Sequence, residues 1–194
     1  MRLLTALTLS LVLVAIVSSR ADATPILYTA TLAGANEVPP TGSPATGFIS
    51  VTLSGDFLSI DETFSGLTVP ASAAHIHCCV PAGTNAIVAV PFVSFPNATS
   101  GHYVNSFDLT LVASYNGAFI TAHGGTAASA EAALIAGLNS GNAYANIHDS
   151  TFPGGEIRGQ LAIEPAADAV PEPATLTLLG LGLAGMAARR RRIR

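Results

Sequence analysis

The amino-acid sequence predicts an all-β domain, an immunoglobulin-like or Greek-key antiparallel sandwich or barrel, carrying one short helix. Three observations lead there. Apolar residues recur at every second position in short runs, Gly, Pro, Ser and Thr crowd the intervals between the runs, and eight such runs follow one another through the middle of the 194-residue chain. A period of two puts alternate side chains on one face of a strand, and short strands joined by turns must bury that face against a second layer.

Taken in order, Ile26, Tyr28, Ala30 and Leu32 mark the first strand, Ile49, Val51 and Leu53 the second, and Leu58, Ile60 and Glu62 the third. Gly55-Asp56, between the second and third, has the chemistry of a tight hairpin. Further strands are expected over Ala73 to Cys79, Ala86 to Val90, Tyr103 to Ala113, Ala143 to His148 and Glu156 to Ile163. Ala127 to Leu138 departs from this pattern: it is alanine-rich, with Leu134, Ile135 and Leu138 at helical spacing and Asn139-Ser140-Gly141 as a terminator. It is expected to be the helix, packed across one end of the barrel. No repeat of fixed length and no linker divide residues 24 to 165, so these roughly 140 residues are expected to form one domain.

The ends read differently. Residues 1 to 23 have the form of a secretory signal peptide, with Arg2 as the positive start, an apolar stretch from Leu3 to Val17, and Ala21-Asp22-Ala23 as a small-x-small cleavage site after Ala23. Residues 166 to 194 contain Val170-Pro171-Glu172-Pro173, then a Gly-rich apolar segment over 174 to 188, expected to be a membrane helix, then Arg189, Arg190, Arg191, Arg192 and Arg194. By the positive-inside rule that arginine cluster stays cytoplasmic, which halts export and leaves the folded part outside the inner membrane.

Charge narrows the partners. The chain is 49% hydrophobic and 10% charged with no tryptophan, a composition that folds rather than remaining disordered. Its formal charge is -4, yet all 8 basic residues are arginines and only Arg158 lies between the terminal segments. Between the leader and the Val170-Pro171-Glu172-Pro173 motif, ten carboxylates, from Glu37 to Asp168, stand against one guanidinium, giving 1 - 10 = -9. Nucleic acid is excluded as a partner, because binding phosphates needs clustered cations.

The densest group of reactive side chains is Ala74-His75-Ile76-His77-Cys78-Cys79. Strand alternation puts Ile76 and Cys78 on one face and His75, His77 and Cys79 on the other. With Ile76 in the core, both histidines face out of the barrel wall, where a loop could cover them. In Tyr144-Ala145-Asn146-Ile147-His148-Asp149, Ile147 would point inward and His148 outward, so His75, His77 and His148 could converge as ligands for copper or zinc. The bland alternative is three hydrogen-bonded surface histidines. His102 and His123 sit beside glycines in expected turns and carry less weight. The adjacent Cys78 and Cys79 fit a vicinal disulfide, two free thiols, an intermolecular bridge, soft copper ligands, or simply small residues at a strand end. Arg158, alone among carboxylates, is expected to pair with Glu37 or Glu156 as a structural clamp. There is no G-x-S-x-G, no H-E-x-x-H and no phosphate loop with lysine, so no catalytic residue is assigned.

Two resemblances add to these readings. The Val-Pro-Glu-Pro motif, the Gly-rich apolar helix and the terminal arginines resemble the PEP-CTERM sorting signal of Gram-negative bacteria. That implies recognition by an exosortase, cleavage near Pro171, Glu172 and Pro173, a transient inner-membrane stage, and release to the cell surface or into an exopolysaccharide matrix. In the central part, Leu32-Ala33-Gly34-Ala35-Asn36-Glu37-Val38-Pro39-Pro40, Ala74-His75-Ile76-His77, Gly141-Asn142-Ala143-Tyr144-Ala145-Asn146-Ile147-His148 and Phe152-Pro153-Gly154-Gly155-Glu156-Ile157-Arg158-Gly159-Gln160-Leu161 resemble the CHRD domain. This implies an all-β barrel similar to copper-zinc superoxide dismutases, with no settled activity. Where that family usually has a glycine after His-Ile-His, this chain has Cys78. Dismutase chemistry itself is not expected, since further ligands are missing and a net-negative domain repels superoxide. Together these point to a non-catalytic, exported surface or matrix-binding protein. A metal-binding or redox protein built on His75, His77 and His148 is the alternative.

Overall fold

Each of the eight alternating runs is a strand in the computed structural model, which describes residues 24–165. The expected leader and its Ala23 site, the sorting motif Pro171, Glu172 and Pro173, and the apolar segment 174–188 lie outside the described residues. Among the described residues there are nine strands: β1 Ile26–Ala33, β2 Thr46–Ser54, β3 Phe57–Ser65, β4 Ala71–Cys78, β5 Ile87–Pro91, β6 Gly101–Asp108, β7 Ala143–Asp149, β8 Ile157–Gln160 and β9 Ala162–Ile163. The ninth arises because the last expected strand is divided at Leu161, whose side chain is buried and whose N–H bonds to Ala143 O on β7, while Ala162–Ile163 beyond it pair with β1.

All pairings are antiparallel, and the sheet runs β5-β4-β7-β8-β1-β2-β3-β6, with β9 also beside β1. β7 returns to lie beside β4, a Greek-key crossing, and β8 and β9 pair with β1 to join the two halves of the curled sheet. Although β5 and β6 are consecutive in the chain, they form the two ends of this path, so the half-barrel has a seam. Aromatic rings fill one part of it: Phe92 lies 5.3 Å from Tyr103 and 6.2 Å from Phe107, and Phe95 lies 5.1 Å from Tyr103.

The alternation seen in the sequence becomes burial. Along β3 every second residue from Leu58 to Phe64 is buried. The inward side chains Tyr28, Ile49, Leu58, Ile60, Ile76, Ile147 and Ile157 form the core, together with Leu134 and Leu138 from a helix. Glu62 follows the same alternation and is therefore inside, fully buried.

Among the described residues, two α-helices are present where one was expected. α2, Ala127–Asn139, is the anticipated one, started by a capping box between Thr126 and Ser129. It packs on the ends of β4, β7 and β9. α1, Gly117–Ala122, begins at Asn116, whose side chain accepts from the Ala118 N–H. At six residues it is too short to display a helical period in sequence. β6 also ends at Asp108, earlier than expected, because Val112–Ser114 turns as a 3-10 helix.

Two connections cross over the β4–β7 face. Residues 34–45 join β1 to β2 and residues 79–86 join β4 to β5. They are tied to each other by Asn85 Nδ2 donating to Val38 O at 2.8 Å. The first is further tied to the chain leading into β8, where Ser43 Oγ donates to Glu156 Oε1 at 2.6 Å and Thr41 Oγ1 to Glu156 O at 2.8 Å. Among the described residues, no helix is long and apolar enough to cross a membrane.

Candidate metal centre

The pairing of β4 with β7 brings the expected histidines together. His75 lies opposite Asn146, His77 opposite Tyr144, and Ala73 opposite His148, so these side chains share the outer face while Ile76 and Ile147 point into the core. One ring nitrogen from each of His75, His77 and His148 lies within 4.8 Å of the other two. His75 Nδ1 is 3.3 Å from His148 Nε2.

Backbone carbonyls hold two of the rings. Nδ1 of His77 faces Ala86 O at 2.8 Å, and Nδ1 of His148 faces Pro153 O at 3.0 Å. A carbonyl can only accept, so each Nδ1 carries a proton and each Nε2 presents a lone pair. Nε2 of His77 is buried and has no hydrogen-bond partner. Burial, which disfavours the imidazolium, lowers the pKa of all three rings. For His75, the neighbouring His148 and His77 add to burial and bring it to about 4. Three neutral imidazoles with converging lone pairs form a donor set suited to copper or zinc.

The surrounding residues build a support. The His77 ring stacks on Tyr144 at 4.7 Å and 3° between planes, and the Arg158 guanidinium lies 3.3 Å over the same Tyr144 ring. Tyr144 OH accepts the Ala86 N–H at 3.1 Å, which helps hold the residue whose carbonyl orients His77. At the His148 end, Asp149 Oδ1 accepts the Phe152 N–H at 2.6 Å and Oδ2 the Val69 N–H at 3.2 Å, shaping the turn that presents Pro153 O. Asp149 is buried, which acts against ionisation, but its hydrogen bonds with Glu156 and with the backbone hold its pKa below the usual carboxylate range.

Arg158 departs from expectation. It is 2% exposed, yet pairs with neither Glu37 nor Glu156. The guanidinium instead donates to Thr84 O at 2.8 Å and Asn85 Oδ1 at 3.0 Å, clamping the 79–86 connection. Sequence position could not reveal this, because the acceptors belong to an exposed loop 73 and 74 residues away. Glu37 is also buried. Burial raises its pKa, while the nearby Arg158 charge and hydrogen bonding from Asn146 and Val38 oppose the rise.

The cysteines also depart from the expected alternation. Cys78 and Cys79 are joined as a vicinal disulfide. Cys78 points inward as expected, but Cys79 lies in the bend after β4 with its Sγ 3.3 Å from Ala133 O on α2. Gly137 leaves room for the sulfurs, since a Cβ there would collide with Cys78 Sγ and approach Cys79 Sγ to 2.9 Å. The disulfide therefore packs on the helix rather than among the imidazoles. His102 is in β6 rather than in a turn, exposed beside Asp61, and His123 caps α1 with Nδ1 facing Phe119 O at 2.9 Å. Neither joins the cluster. Tyr144 and Asn146 were not singled out from sequence, although they alternate with His148 along one face of β7.

A curled antiparallel Greek-key sheet with an imidazole cluster on its outer wall, beneath two crossing loops, defines an all-β domain of the kind that can hold a metal outside its core. The chain belongs to the CHRD domain family, whose model matches residues 28–161. Residues 169–192 match the PEP-CTERM protein-sorting motif, which marks the protein for export and exosortase processing in Gram-negative bacteria by way of a membrane-anchored stage. No curated protein and no solved structure matches the chain.

Proposed function

We propose that this exported CHRD domain binds a copper or zinc ion through His75, His77 and His148. One observation carries the reading: three ring nitrogens lie within 4.8 Å of one another, and the most buried of them, His77 Nε2, has no partner. Leaving a buried acceptor unpaired costs roughly 1–3 kcal/mol, and an ion shared with two neighbouring imidazoles removes that cost. The domain acts as a non-catalytic binding protein, freed from its leader after Ala23 and from its tail near Pro171, Glu172 and Pro173. The sorting motif supports delivery to the cell surface or into exopolysaccharide, where a pull-down against the producer's own matrix polymers identifies any polymer partner. Elemental analysis after incubation with copper and with zinc tests the metal. Stoichiometric ion in the native protein, lost in His75→Ala and His77→Ala, is expected. A folded native protein that retains neither ion refutes the reading.

A further inference from the structure

Asn146 stands between the histidine cluster and Glu37. It is 2% exposed and lies directly opposite His75 in the β4–β7 register. Its Oδ1 is 3.0 Å from His148 Nε2. Because Nδ1 of His148 spends its proton on Pro153 O, both atoms of that contact are acceptors, and they repel unless a cation or a proton comes between them. Turning the amide over is no remedy. Asn146 Nδ2 and Glu37 Oε1 converge on the Cα of Gly155, where a Cβ would meet both. The reversed amide would set its oxygen against the carboxylate, so Glu37 selects the orientation that directs Oδ1 at the imidazoles. His75 Nδ1 can supply one proton to the cluster, to His148 Nε2. That leaves His77 Nε2 without a partner, and Asn146 Oδ1 facing a His148 Nε2 that has no proton of its own to give it.

We propose that Asn146 Oδ1 is the fourth donor to the ion held by His75, His77 and His148, and that Glu37 is the positioning residue that orients the amide. This assignment rests on the three-histidine metal site and deepens it. Three imidazoles with one neutral amide oxygen are a harder donor set than imidazoles alone, which favours Zn(II) or Cu(II) over Cu(I). Gly155, at φ +125°, is the backbone condition for the arrangement, because a side chain there would separate Glu37 from Asn146.

Zn(II) and Cu(II) affinities of the full chain, measured by competition titration, test the assignment. Asn146→Ala is expected to weaken Zn(II) binding about tenfold or more, and Asn146→Asp, which keeps an oxygen and adds charge, to preserve or tighten it. Glu37→Gln is expected to shift the Cu(II) electron paramagnetic resonance parameters, a signature that lost packing alone does not move. Unchanged affinity in folded Asn146→Ala overturns the proposal while the three-histidine reading stands. If that variant does not fold, a folded Asn146→Asp with weakened Zn(II) binding overturns it equally. A native protein that binds neither ion overturns both readings together.

Discussion

Glu62 offers the sharpest test of the energetics. Its side chain is completely buried on the inner face of β3, opposite Ile49 on one side and Tyr103 on the other, and neither carboxylate oxygen has a hydrogen-bond partner. Desolvation raises its pKa from 4.5 to about 8, so the folded core holds it neutral at pH 7. The folded state therefore binds a proton that the unfolded chain has released. Across the window between the two pKa values, stability falls as pH rises, by about 1.4 kcal/mol per pH unit. This contribution is complete below pH 4.5 and lost by about pH 8, so near pH 7 roughly 3 kcal/mol has gone. Glu62→Gln removes the titrating group but leaves an amide without partners, so the diagnostic quantity is the pH slope rather than the absolute stability. Urea unfolding at pH 5 and pH 8 should show the native protein losing several kcal/mol more than the variant between those two conditions. Equal losses would mean that the carboxyl is solvated or paired in solution, and would refute the reasoning.

Two other changes probe the clamp and the ends. Arg158→Lys should lower stability by about 1–3 kcal/mol, because an ammonium cannot lie flat on Tyr144 while donating to both Thr84 O and Asn85 Oδ1; an unchanged melting temperature would exclude a clamping role. The intact mass of protein exported by a host with an exosortase should correspond to a chain that begins at Thr24 and lacks the arginine tail, and a mass that still includes Arg194 contradicts processing.

How much was legible in the sequence differs between fold and site. Strand alternation placed Ile76 and Ile147 inward and their neighbouring histidines outward, because a period of two is a local property of the backbone. The same rule failed at Cys79, which follows the last residue of β4 and turns towards α2, and at Val112–Ser114, where the chain has already left β6. Arg158 was recognised as unusual by its isolation, yet its partners were misassigned: opposite charge pointed to Glu37 and Glu156, whereas a neutral carbonyl and an amide on the 79–86 connection hold it.

What the sequence alone determined are the quantities that depend on local pattern: an all-β domain, its acidic character, the C-terminal sorting motif, and histidines on the outer faces of two strands. Tertiary structure decided what depends on distant segments meeting. β7 pairs with β4 across more than sixty intervening residues, and only that register brings His148 to His75 and sets Asn146 between them and Glu37. A lone pair becomes unsatisfied only once packing has removed the water that would have paired it, so the orphaned nitrogen of His77 and the neutral carboxyl of Glu62 are properties of the folded chain.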